Sequence, residues 1–167
     1  MSARVIGVGQ RLAGDDGVGI RVAERLRSLD LDDVQVDFVA STTELIARLT
    51  GVDRVIVVDA VLGSGALGHL HVATPEDFDA QQLVAISTHG LDLPAAVALA
   101  RALYPESVAP EIQIVGLEIE RPERLAEELS LTAAAAVEAA VRAVVAMLGE
   151  NTSGGHECTS HPSPGKF

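Results

Sequence analysis

Apolar residues along this chain group into two alternating kinds of segment. Short runs rich in β-branched residues, bounded by glycine, aspartate or proline, predict strands at residues 4–9, 34–39, 54–60, 69–73 and 111–119. Longer Ala-, Leu- and Arg-rich segments, in which apolar residues return at helical spacing, predict helices at 18–29, 43–49, 94–103, 122–128 and 132–148. Asp92 and Pro94 stand where a helix cap and an early helical proline belong, and Thr132 precedes an alanine run that it can start. Strand followed by helix, repeated along the chain, specifies βαβ units. The expected fold is therefore α/β: a three-layer sandwich with a mostly parallel, twisted, five-stranded sheet flanked by helices on both faces.

Composition narrows this picture. The chain has 167 residues, 48% of them hydrophobic but only 2% aromatic, so the core has to be packed from Val, Leu, Ile and Ala, and the helices can lie close to the sheet. Residues 1–149 fit a single catalytic domain. Beyond Gly149 the composition offers almost nothing to bury, and residues 150–167 are expected to form a mobile tail. The net charge is -12, and Lys166 is the single lysine. That balance disfavours nucleic acid and anionic membrane surfaces, which need clustered Lys and Arg, and favours a basic or metal-bearing partner. One cysteine, Cys158, precludes an internal disulfide, and the first residues lack the basic-then-apolar run of a signal peptide. The most apolar long stretch, residues 131–148, carries Glu138 and Arg142 in an amphipathic helical pattern. A cytoplasmic protein is expected.

The chemistry concentrates after the first strand, in Gly7-Val8-Gly9-Gln10-Arg11-Leu12-Ala13-Gly14-Asp15-Asp16-Gly17-Val18-Gly19. A glycine-rich strand-to-helix loop ordinarily offers backbone N–H groups to an anion, but two carboxylates here would repel a phosphate. A dinucleotide fingerprint needs glycine where Leu12 stands, and a P-loop needs Lys and Ser or Thr where Asp15 and Asp16 stand. The loop is built to meet positive charge. The third strand, Val55-Ile56-Val57-Val58-Asp59-Ala60, ends in a further carboxylate. In doubly wound sheets the carboxyl ends of strands one and three line the binding crevice, where Asp16 and Asp59 can face each other. Without a cation, the two would raise each other's proton affinity.

His89, in Ser87-Thr88-His89-Gly90, leads into the helix at Pro94 and can join them. Two carboxylates and an imidazole on one rim make an open site for a borderline divalent metal such as zinc or nickel. The plainer reading of each aspartate is a helix or turn cap, and of His89 a surface residue. His69 and His71, two apart on a strand, fit a half-exposed strand face, while His156, Cys158 and His161 have ligand chemistry but no rigid frame. Arg11, Arg48 and Arg54 can help to bind an acidic segment, but the plainer reading of each is a solvated charge.

Gly7-Val8-Gly9-Gln10 with Asp15-Asp16-Gly17-Val18-Gly19, then the Val55 to Ala60 run, then Ser87-Thr88-His89-Gly90-Leu91, in this order and spacing, resemble the hydrogenase maturation endopeptidases. These enzymes trim the C-terminal extension from the large subunit of a nickel–iron hydrogenase. The resemblance spans about residues 4–148. It implies that Asp16, Asp59 and His89 contact nickel already lodged in the large-subunit precursor, so that the substrate supplies the metal and cleavage follows its insertion. Another divalent metal such as zinc can be held by the same three residues. The resemblance also implies a monomer. Two departures stand out: Gln10 occupies a frequent Asn position, and Ala40-Ser41-Thr42-Thr43 replaces a frequent Asp-Gly-Gly-Thr, removing backbone freedom.

Three other readings fit parts of the pattern. A phosphoacceptor receiver domain would arrange Asp15, Asp16, Asp59 and Ser87 similarly, but it needs a lysine at the end of strand five, where Leu117-Glu118-Ile119-Glu120 stands. A metal-dependent hydrolase of small molecules would hold its own zinc on the same ligands. A chaperone of nickel insertion would bind the loaded precursor without cutting it.

Overall fold

In the computed structural model of the chain, residues 1–63, 65–80, 84–85, 93–120 and 126–150 are described. Strands β1 (Ala3–Val8), β2 (Val34–Val39), β3 (Arg54–Leu62), β4 (Leu70–Ala73), β5 (Val84–Ala85) and β6 (Glu111–Glu118) form one sheet. Its order is β2-β1-β3-β6-β4, with β5 paired to β3 off that path. The β1, β2, β3 and β6 pairings are parallel, whereas β4 lies antiparallel to β6 and β5 antiparallel to β3. The five strands read from the sequence are thus all present. The two-residue β5 is too short to leave a periodic signal.

Helices α1 (Val18–Arg27) and α5 (Leu131–Glu150) cover one face, and α2 (Thr42–Arg48), α3 (Pro75–Ala80) and α4 (Leu93–Leu103) the other. Alternation along β3 splits its side chains between the two layers: Ile56, Val58 and Ala60 pack with α1 and α5, while Val55, Val57 and Val61 pack with α2, α3 and α4. Apart from Leu62 at its end, every β3 residue is buried, as expected for a central strand covered on both sides. Small residues let α1 rest directly on the sheet. A Cβ on Gly19 would collide with the carbonyl oxygens of Val8 and Val58, so only glycine allows this approach.

Several expectations are corrected. Of the helix read at 122–128, residues 122–125 lie outside the described set, and Ala126, Glu127 and Glu128 are not helical. Ala126 instead bridges Ala13 in parallel, its N–H donating to Leu12 and its carbonyl accepting from Gly14, so its backbone is committed away from a helix. Helix α5 begins at Leu131 and is capped by Ser130, whose Oγ accepts from the Ala133 N–H at 3.1 Å, two residues before Thr132. Helix α3 follows a Thr-Pro-Glu-Asp cap in which Thr74 Oγ1 accepts from Asp77 N–H.

Arg54 is not a solvated charge. It is 5% exposed, ion-pairs with Glu111 at 2.9 Å and donates to the Met147 carbonyl at 2.6 Å, tying the end of α5 to the sheet. Arg11 and Arg48 lie at the surface, paired with Glu24 and Asp37. The departure at residues 40–43 supplies the cap of α2: Ser41 Oγ accepts from Glu44 N–H, and the Glu44 carboxylate accepts from the N–H of Ala40, the residue before the cap.

By length and composition α5 could cross a membrane. Its apolar stripe is already used, however, with Ala133, Ala136, Val137, Ala140, Val141 and Val144 buried in the α1-side core and Glu138 paired with Arg25.

Candidate active site

Strand order places the topological switch point between β1 and β3, where chain connections diverge and leave a crevice at the strands' carboxyl ends. The β1–β3 pairing stops at Gly7 with Val58, and β5 pairs β3 only from Val61 onward. Asp59 therefore sits in a notch of the sheet, facing the loop that leaves β1. On its other flank it is opposite Gly116 of β6, over which the Val61 side chain packs.

Into this notch the loop brings a 3-10 turn, Gly14–Gly17, carrying Asp16. Asp16 is 3% exposed and Asp59 2%. Asp16 Oδ2 accepts the Gln10 N–H at 3.2 Å, and Asp59 Oδ1 accepts the N–H of Ala60 at 2.8 Å. The N-cap positions of the turn and of α1 are Ala13 and Gly17, neither with a side-chain cap. Asp16 thus turns back over its own loop and does not occupy the cap of the helix that follows.

Burial pushes the Asp59 carboxyl up to about 8, and the negative charge of Asp16 adds to the rise, against the opposing Ala60 N–H. The Asp16 carboxylate is therefore close enough for its charge to act on Asp59. Asp15, the neighbouring acid, points elsewhere and accepts two hydrogen bonds from Ser130.

His89 lies outside the described residues, as do Ser87, Asp92, and the tail with His156, Cys158 and His161. The last described residues before it are β5, where Val84 pairs Leu62 and Ala85 pairs Val61, so the chain is running back toward Asp59. Among the described residues no three His, Cys, Asp or Glu side chains are grouped to hold a metal.

One buried acid near the notch was not singled out from the sequence. Glu118, 2% exposed at the end of β6, accepts from Gly65 N–H at 2.8 Å and contacts His71 Nε2 at 2.9 Å. Its signal was a carboxylate between the apolar Leu117 and Ile119. His71 is half-buried against it and His69 is exposed, with their rings 4.7 Å apart on one strand face as read. Beside the Asp16 loop opens a cavity of about 540 Å³ lined by Gln10, Leu12, Ile20, Phe38 and Val39.

Comparison with known proteins decides among the readings. Residues 20–147 match the model of the HycI hydrogenase maturation protease family. The chain belongs to that family. Its fold is shared with the hydrogenase maturating endopeptidase HybD from E. coli, at 26% identity and a TM-score of 0.73 over 90% of this chain and 94% of that one. A hydrogenase 2 maturation peptidase from a Thaumarchaeota archaeon is 29% identical, with a TM-score of 0.62 over 89% of this chain and 99% of that one. The nickel–iron hydrogenase maturation protease HycI from Thermococcus kodakarensis KOD1 is 25% identical, with a TM-score of 0.65 over 89% and 92%. No curated protein sequence matches the chain. As a hydrogenase maturation protease, this chain is a peptide hydrolase and not a receiver domain. The matched stretch contains Asp59 and His89 and begins four residues after Asp16.

Proposed function

We propose that this maturation protease removes the C-terminal extension of a nickel-loaded large-subunit precursor, with Asp16, Asp59 and His89 contacting the nickel that the precursor carries. The reading is carried by the placement of two almost fully buried carboxylates at the switch point of the sheet. Burial penalises the charged form of Asp59, the Asp16 charge adds to that penalty, and a divalent cation offsets it. Asp59 holds a proton at neutral pH beside Asp16 and gives it up when the cation arrives. The freed carboxylate can then orient water toward the scissile carbonyl, while nickel docks the bond beside it. No serine or cysteine nucleophile enters this scheme, and the one cysteine, Cys158, lies in the tail.

The test is to incubate the protein with nickel-loaded and nickel-free precursor and weigh the product. Trimming of the loaded form alone is expected, and Asp16→Asn, Asp59→Asn or His89→Ala should slow it by about a hundredfold or more. Stoichiometric, tightly held zinc in protein purified without its partner, with nickel-free precursor cut equally well, would instead favour a resident metal.

A further inference from the structure

Asp16 is almost fully buried on a loop between β1 and α1, so where its carboxylate sits depends on what anchors that loop. The structure places a latch on the adjacent residue. The Asp15 carboxylate accepts the Ser130 N–H at 2.6 Å and the Ser130 hydroxyl at 2.7 Å, across a sequence separation of 115 residues. Ser130 Oγ also receives the Ala133 N–H, so the same side chain caps α5. Two backbone bonds complete the seam: Gly14 N–H to Ala126 at 2.6 Å and Ala126 N–H to Leu12 at 3.0 Å. Gly14 makes its bond at φ 59°, a left-handed conformation that suits glycine.

We infer that Asp15 and Ser130 are positioning residues, a latch from α5 that holds the Asp16 carboxylate at Asp59 before substrate arrives. This rests on the proposed role of Asp16 for its catalytic consequence, but not for its structural one. The latch acts through Asp16 and touches no reacting atom. Charged acceptors of this kind form the stronger class of hydrogen bond, so one serine supplies both a helix cap and an anchor for the loop.

The test uses Ser130→Ala, Ser130→Thr and Asp15→Asn in the full chain. Ser130→Ala should speed amide exchange at Gln10, whose N–H is bonded to Asp16, while the β3 amides keep their protection. On nickel-loaded precursor, kcat should fall about tenfold, the scale of lost ligand support, with KM nearly unchanged. Ser130→Thr keeps the hydroxyl and should restore both. Asp15→Asn is the milder break if Ser130→Ala does not fold. Unchanged exchange at Gln10, or faster exchange with wild-type kcat, would overturn the inference. If wild-type protein does not trim the precursor, the functional proposal fails, whereas the Gln10 exchange rate still decides the latch.

Discussion

Asp59 gives the folded protein a pH dependence above the ordinary carboxylate range. Its folded carboxyl titrates at about 8, far above the ordinary aspartate value of about 4 that applies when the chain unfolds. Between those values the native state keeps a proton that the unfolded state has released, so stability falls as pH rises through this window. Thermal melts in chelator should show the melting temperature declining from pH 4 to pH 8. Asp59→Asn should flatten that decline, and a flat wild-type profile would contradict the assignment. Asp16→Asn should lower the Asp59 titration only part of the way, because burial is the larger cause. The placement of these two acids beyond the carboxyl ends of neighbouring strands was legible in the sequence, since one ends a run of β-formers and the other lies in a glycine-rich turn. The depth of burial was not legible, because it depends on the notch left where β1 stops pairing.

Helix α1 and the sheet meet with no side chain between them at Gly19. Gly19→Ala should force the helix off β1 and β3 and cost about 3 kcal/mol or more, measured by urea unfolding. At the opposite end of the strands, Arg54→Ala should cost about 2 kcal/mol by leaving the Met147 carbonyl and Gln113 without their charged donor. Strands announced themselves through β-branched runs, and α1, α2 and α4 through helical spacing, because those signals are local. The start of α5 was misread for the opposite reason. Thr132 has the right chemistry beside an alanine run, but Ser130 wins through its bonds to Asp15, a partner 115 residues away. Arg54 was misread likewise, its partners being Glu111, Gln113 and Met147 on elements far along the chain.

Across the molecule, one arrangement links fold to chemistry. A sheet ordered β2-β1-β3-β6-β4 opens its crevice where two acids converge, and the net charge of -12 suits a partner that brings positive charge. The family supplies the class of reaction, proteolysis in hydrogenase maturation, and the proposed nickel contact at the notch would delay it until metal is present. The most direct test is the mass of a large-subunit precursor, with and without nickel, after incubation with wild-type protein and with Asp16→Asn. Loss of the C-terminal extension from the nickel-loaded precursor with wild-type protein only is the expected result. Equal trimming of the nickel-free precursor, or normal trimming by Asp16→Asn, would contradict the account.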